Sequence, residues 1–193
     1  MTAALLTIDA FDVRVPVGTW TIDPAHSSIG FSVRHLMGKV RGTFAEFTGH
    51  LTTAEEPTDC SATATIAMGS VNTGNRMRDE DLRSVNFFDV DRYPAMTFES
   101  TGLTADDGRF ELSGRLTIRG TTRDVALEVE FLGFDETGLQ GEQRIGISAT
   151  TTIRRSDYGV GATAGEGQKI VIGDKIAIQL DIQAIGRQEI SSE

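Results

Sequence analysis

Histidine is the residue type here best suited to metal or acid–base chemistry, and the chain contains three: His26, His35 and His50. A metal site would require them to converge with a carboxylate such as Asp79, yet no pair has the close spacing of a zinc motif. Alternation along the chain directs His35 inward near a strand end and His50 outward. We therefore predict no metal site, and we expect His26 and His35 to form hydrogen bonds at one mouth of the fold.

Other catalytic motifs are missing. No serine lies in a G-x-S-x-G elbow, and the segment GVGATAG at 159–165 lacks the glycine spacing of a phosphate loop, so we expect a plain loop there. The segment 76–92 mixes carboxylates with arginines, a combination that more often forms salt bridges than an acid–base pair. We predict a protein that is not an enzyme and requires no cofactor.

Composition favours a single domain without a nucleic-acid partner. The 193 residues carry a net charge of −10, whereas binding to phosphates or to an anionic membrane surface requires clustered Lys and Arg. Cys60 is the only cysteine, so no intrachain disulfide can form. Residues 1–15 lack the regions of a signal peptide, and no apolar run is long enough for a membrane-spanning helix. We expect a cytoplasmic protein.

Apolar and polar residues alternate along much of the chain. In 28–35, Ile29, Phe31, Val33 and His35 point one way and the intervening residues the other, which is typical of a strand with one apolar face. The same pattern predicts strands near 19–24, 27–36, 41–53, 61–69, 95–103, 109–119, 122–133, 143–154 and 174–186.

Turn chemistry connects these strands as hairpins. The segments at 105–108 and 118–122 are hairpin turns by composition, which implies antiparallel pairing. A break in alternation between Phe44 and Phe47 predicts a bulge that lets the sheet curl. Helical spacing in the charged segment after Gly74 predicts one short helix over 75–85.

Many one-sided strands in a chain of this size favour closure, because open sheet edges promote aggregation. We predict an all-β fold, an elongated antiparallel barrel of about eight strands, which can enclose side chains or one small ligand. Small residues on the inward faces, such as Gly114, Ala62, Ala64 and Ala149, leave space. Whether larger side chains fill that space is left open by the sequence.

Several blocks in a fixed order resemble the YceI-like, polyisoprenoid-binding family of lipocalin-like barrels. The resemblance covers about residues 19–187, with 1–18 as an N-terminal extension and 188–193 as a C-terminal tail. It rests on these segments: 20–23, 26–36, 40–44, 70–73, 78–79, 82–84, 87–90, 93–94, 97–100, 114–122, 155–159 and 172–174.

The resemblance implies an elongated eight-stranded, lipocalin-like barrel around an amphiphile with a long apolar chain, such as an isoprenoid quinone or a polyprenyl lipid. Members of the family are often dimeric, so a homodimer is also implied. One departure concerns Asp81, which stands where the family usually has histidine before Leu-Arg-Ser, and it puts in doubt a polar contact at that position.

Candidate ligand contacts follow from the inward faces and the resemblance. The apolar tube is predicted to consist of Phe31, Val33, Phe44, Met68, Met96, Phe98, Leu116, Leu127, Val129, Ile147, Ile178 and Leu180. The predicted lid is Phe87 and Phe88 with the helix. His35, Arg78, Asp79 and Arg83 are candidates for contact with a polar head group, with a salt-bridged helix cap as the alternative for the charged residues.

Two other function classes stay open. A small barrel enzyme acting on a hydrophobic substrate would need a titratable group facing the cavity, and His35 is the inward candidate. A protein-interaction module with a filled core would bind no lipid. Binding is favoured over both, because an oily tube gains about 0.8 kcal/mol for each methylene it buries.

Overall fold

The computed structural model describes residues 4–8, 13–106, 109–138, 141–161 and 172–186. Over these residues the chain is mostly β-strand, as the alternation predicts. The strands are β1 (Leu5–Ile8), β2 (Val13–Pro16), β3 (Gly18–Ile22), β4 (Ser28–His35), β5 (Gly38–Phe44), β6 (Phe47–Thr53), β7 (Ser61–Ala67), β8 (Val71–Asn72), β9 (Ala95–Asp106), β10 (Arg109–Ile118), β11 (Thr121–Asp135), β12 (Arg144–Arg154) and β13 (Ile172–Gly186). Helix α1 (Arg76–Arg83) is shorter at both ends than the predicted 75–85, and short 3₁₀ turns span Pro24–His26, Pro57–Asp59, Met68–Ser70 and Arg155–Tyr158.

The strands close into an eight-stranded antiparallel barrel, which confirms the predicted fold class. Its ring runs β3, β6, β7, β9, β10, β11, β12 and β13, and β13 pairs back with β3. Strand β4 continues β3 along β13, and β5 and β8 extend β6 and β7 in the same direction. Each of the eight ring strands pairs on both sides, whereas β8 in the upper extension pairs with β5 alone among the described residues.

One predicted hairpin is present, whereas the predicted bulge between Phe44 and Phe47 is instead a break between two strands. Ala45 and Glu46 separate β5 from β6, and their backbone N–H groups donate to the Ser70 carbonyl and hydroxyl instead of continuing the ladder. Arg119 and Gly120 both adopt positive φ, 50° and 73°, between β10 and β11. Two such residues in succession form the type I′ turn that matches strand twist. The turn predicted at 105–108 lies partly outside the described residues.

The barrel has two distinct ends. We call the upper end the one formed by the β4–β5 turn, α1, the β10–β11 turn and residues 155–161. The lower end is formed by residues 54–60, residues 136–138 and the hairpin of β1 and β2.

The N-terminal hairpin is a structural element within the predicted extension 1–18. Leu6 and Val15 are buried, Val15 to 1% exposure, in a cluster with Trp20, Phe110 and Ile145. Alternation did not reveal these strands because each has four residues and the acidic residues between them interrupt the apolar pattern. The hairpin covers the lower end of the barrel.

Candidate functional site: an apolar lumen with one polar end

The barrel is hollow. An upper cavity of about 590 Å³ and a lower cavity of about 220 Å³ lie inside it. Both are lined by Ile29, Met96 and Ile178, so they lie next to each other inside the barrel. The upper volume alone falls within the range of sites that hold small organic ligands.

Three inward glycines explain why large side chains do not plug this lumen. A Cβ on Gly114 would lie 2.4 Å from the Phe98 ring, and one on Gly42 would lie 2.5 Å from the Phe31 ring. A Cβ on Gly49 would meet Ile22 at 2.6 Å. Each glycine therefore gives a large neighbour room to lie against the barrel wall rather than across the channel.

The lower cavity is apolar. Among the described residues no charged side chain lines it, and the polar members of this lining are threonines and Ser61. Leu6 and Val15 of the hairpin line it, and the Trp20 indole N–H donates to Thr53 Oγ1 at 2.9 Å beside them. A hydrocarbon chain would meet almost no polar group here.

The upper cavity has an apolar wall with polar groups around it. The polar and charged residues on its lining are His35, Asn75, Arg78, Asp81, Arg155 and Tyr158. An amphiphile in the lumen would therefore find polar partners only toward the upper end.

All twelve residues predicted for the apolar tube line one of the two cavities. Phe31, Val33, Phe44 and Met68 line the upper cavity, Met96 and Ile178 line both, and Phe98, Leu116, Leu127, Val129, Ile147 and Leu180 line the lower one. Their contact with a ligand stays a prediction.

The predicted lid lies over the upper cavity. Phe87 and Phe88 both line it, and the Phe88 ring centroid lies 6.1 Å from that of Phe44. The Phe88 N–H donates to the Leu82 carbonyl, which ties the lid segment to the end of α1. Leu82 itself lines the cavity.

The four residues predicted for the polar mouth separate into two groups. His35 is half-buried on the cavity lining, without a side-chain hydrogen bond among the described residues. Arg78 also lines the cavity, but its guanidinium donates to Thr73 Oγ1 at 2.7 Å and to the Thr73 carbonyl at 2.9 Å.

Asp79 and Arg83 attach helix α1 to the preceding segment 69–73 by hydrogen bonds. The buried Asp79 carboxylate accepts hydrogen bonds from the Thr73 N–H and hydroxyl, and Arg83 donates to the carbonyls of Gly69 and Val71. Neither is among the cavity lining. These hydrogen bonds brace the helix, but among the described residues neither side chain forms the salt bridge that the sequence left as an alternative.

His26 does not join His35 at the mouth, contrary to our expectation. It lies in the Pro24–His26 turn, where its Nδ1 is 2.7 Å from Asp23 Oδ2. The Arg144 guanidinium donates to the same Asp23 oxygen at 2.8 Å, and this bond does most to hold the pKa of Asp23 below its usual value. Arg144 also bonds Glu142 at 2.8 Å, so the cluster links β12 to the segment between β3 and β4.

Arg155 organises the segment after β12. Its guanidinium donates to the carbonyls of Val160 at 2.9 Å, Gly173 at 3.1 Å and Ile172 at 3.5 Å. The guanidinium thus joins the end of this segment to the start of β13. Asp174 nearby accepts from Ser156, and that bond is the main cause of its lowered pKa.

Tyr158 is the site residue that sequence reasoning missed. It is 2% exposed and lines the upper cavity, and its hydroxyl has no hydrogen-bond partner among the described residues. Burial raises the pKa of this phenol to about 12, with the Asp157 charge adding to the effect. Its position in the 155–159 block, as a hydroxyl-bearing aromatic residue just after an inward-facing strand, was the available signal.

Other chemistry has little support in the described part of the chain. No group of three or more His, Cys, Asp or Glu side chains there is placed to hold a metal ion. Burial raises the pKa of the Cys60 thiol, which disfavours the reactive thiolate. No helix among these residues is both long and apolar enough to cross a membrane.

The fold and the site place this protein in the class of eight-stranded barrels with an apolar interior. The model of the YceI-like domain matches residues 20–184, so the chain belongs to the YceI-like family. A UPF0312 protein of Staphylococcus aureus strain N315 is 39% identical over 145 residues, which are 73% of this chain and 81% of that protein. The hairpin of β1 and β2 precedes the matched residues.

Solved structures show the same fold. The YCEI protein of Campylobacter jejuni superposes with a TM-score of 0.70 at 30% identity, over 86% of this chain and 96% of that one. A polyisoprenoid-binding domain from Saccharophagus degradans, implicated in plant cell wall breakdown, superposes with a TM-score of 0.64 at 18% identity, over 89% and 99% of the two chains.

Proposed function

We propose that this protein binds a long-chain apolar amphiphile, such as an isoprenoid quinone or a polyprenyl lipid, inside the barrel and without chemical conversion. The two neighbouring apolar cavities inside the barrel carry this proposal. The family membership and the structural likeness to a polyisoprenoid-binding domain support the same class of ligand.

The energetics favour a chain over a compact ligand. Each buried methylene contributes about 0.8 kcal/mol, so eight of them give about 6 kcal/mol before immobilisation costs. Such a tube discriminates poorly among chains of similar length. The length of the lumen and the polar groups at its upper end must therefore determine which ligand is selected.

The arrangement of those groups sets the orientation of the ligand. The chain enters the lower cavity, whose described lining has no charged residue, and the head group stays near His35, Arg78 and Tyr158 in the upper cavity. The reverse orientation would bury the polar head in a mostly apolar cavity, with only threonine and serine hydroxyls on the described lining as partners, which is unfavourable.

Native mass spectrometry of protein purified without detergent tests this function. We expect a mass increment that organic solvent releases, identified in the extract as a lipid with a long apolar chain. If the purified protein is empty, adding a quinone or a prenyl lipid should produce the increment. Protein that is empty and takes up neither would contradict the proposal.

A further inference from the structure

The unpartnered hydroxyl of Tyr158 requires an explanation. Nearly all buried polar side-chain atoms in native proteins have a hydrogen-bond partner. Tyr158 lies in the Arg155–Tyr158 turn directly after β12, with 2% of its surface exposed, yet no described residue bonds its Oη. Since this residue lines the upper cavity, a partner could come from a ligand in that cavity.

The two arginines on the described lining of the upper cavity already form hydrogen bonds within the protein. Arg155 donates to three backbone carbonyls, and Arg78 donates to the side chain and the carbonyl of Thr73. An anionic head group such as a diphosphate would have to take a guanidinium from these bonds. Among the described lining residues, Tyr158 carries the fully buried polar atom without a bond, and it is a neutral donor; His35 also lacks a side-chain bond but is only half-buried.

The surroundings of Tyr158 reinforce the neutral state that a phenol already has near pH 7. It packs in an apolar cluster with Phe44, Ile118 and Val125, and burial with the Asp157 charge raises its pKa to about 12, against a smaller opposing effect of Arg123. Near neutral pH the phenol therefore keeps its proton. A protonated phenol in an apolar site is suited to a neutral oxygen acceptor.

We propose that the Tyr158 hydroxyl donates a hydrogen bond to a neutral carbonyl oxygen on the head of the bound lipid, such as a quinone, ketone or amide carbonyl. This inference rests on the proposed function and adds the chemical class of the head group. It makes Tyr158 a determinant of specificity, while the apolar lumen supplies most of the affinity.

The chain offers a matched control, because it contains just one other tyrosine, Tyr93. Tyr93 is half-buried outside the cavity lining, with the Arg92 guanidinium 5.1 Å from its ring centroid. Tyr158→Phe and Tyr93→Phe each remove one hydroxyl and keep the ring. They differ in which hydroxyl can reach a ligand.

The test measures the affinity of the full chain and both variants for a long-chain methyl ketone and for the alkane of equal length. We expect Tyr158→Phe to weaken ketone binding about five- to tenfold and to leave alkane binding unchanged, with Tyr93→Phe like the wild type. With a ¹³C-labelled ketone, the bound carbonyl stretch should lie at lower frequency in the wild type and shift back in Tyr158→Phe.

Two results would overturn the inference: an equal loss for both ligands, which would indicate a packing role, or no loss for either. A lower melting temperature of ligand-free Tyr158→Phe would also overturn it, since the hydroxyl would then have a partner in the empty protein. Failure of the alkane and the ketone to bind any variant would instead contradict the proposed function, and with it this inference.

Discussion

The two halves of the lumen are closed in different ways. The lower half ends at the N-terminal hairpin, with Val15 and Trp20 each 1% exposed. The upper half is covered by α1 and the segment 84–90, held by hydrogen bonds from Arg83 and Arg119 to backbone carbonyls. The lower closure is apolar packing, and the upper closure is a polar network around a larger cavity.

The ion pairs of the two halves also differ, in how far solvent reaches them. In the lower half, Asp23 and Arg144 form an ion pair with side chains 13% and 15% exposed. In the upper half, Asp174 and Arg154 lie 3.4 Å apart with 35% and 59% of their side chains exposed. Solvent screens the second pair more strongly, so it stabilises less. If the proposed ligand binds with its chain in the lower half, these differences predict that it enters and leaves at the upper end.

Filling the lower half should have the largest effect. Ala149→Phe places a ring in the lower cavity and displaces about four methylenes of ligand, so we expect affinity for a long chain to fall about a hundredfold. A ligand short enough for the upper cavity should still bind. Titration with an intrinsically fluorescent fatty chain, long and short, measures both.

Thr150→Phe is the matched control for that variant. Thr150 is the next residue of β12 and lies exposed on the outer face, so the added ring should leave both affinities unchanged. Equal losses in the two variants would mean that the lower cavity does not hold the chain.

Removing the lower ion pair should have the next largest effect. Because the folded pKa of Asp23 is lowered, its contribution to stability is complete above the usual value of 3.8 and is lost as pH falls through the folded pKa. Asp23→Asn should therefore lower the free energy of unfolding by about 2 kcal/mol at pH 7 and remove this acid dependence. Urea titrations from pH 7 to pH 2 measure it.

Asp174→Asn gives the comparison from the upper half. The lowered pKa of Asp174 has the same sign, but its ion pair with Arg154 is more exposed, so a loss below about 1 kcal/mol is expected at pH 7. A larger loss for Asp174→Asn than for Asp23→Asn would contradict the contrast between the two ends.

A smaller loss of stability is expected when a side chain is added to a glycine of the barrel wall. Gly114→Ala puts a Cβ against the Phe98 ring and 2.8 Å from the Glu99 carbonyl oxygen, which should destabilise the fold by about 1.5 kcal/mol and turn Phe98 into the lumen. Gly102→Ala meets nothing within 4 Å and should change stability by less than about 0.5 kcal/mol. Thermal unfolding of both variants tests whether glycine keeps the channel open.

The smallest effect should come from the cap of the upper lid. The Asn75 side chain accepts from the Arg78 N–H at the start of α1, and Asn75→Ala should cost about 1 kcal/mol of helix stability. We expect faster release of a bound chain with little change in global unfolding. Unchanged release, measured by stopped-flow transfer to vesicles, would mean that the chain does not leave past α1.

Period-two alternation predicted most of the barrel because inward and outward residues differ strongly in polarity. Strand β12 shows this, with Ile145 and Ala149 buried and Thr150 exposed. The hairpin of β1 and β2 was not predicted, because a strand of four residues shows too few alternations to be recognised.

The site was harder to predict than the fold. The inward faces placed the apolar lining, but the contact of Asp23 with Arg144 spans 121 positions and has no local signal. The role of Asp79 and Arg83 depends on where Thr73 and the carbonyls of Gly69 and Val71 lie. Only the tertiary structure shows these positions. For Tyr158, the missing partner is visible only when every neighbour is placed.

A chain-length series tests the hollow barrel most directly. Affinities of saturated ketones of increasing length should tighten about three- to fourfold per methylene, as expected from about 0.8 kcal/mol each, and then level off when the lumen is full. Affinity that does not depend on chain length, or no saturable binding at any length, would contradict the account.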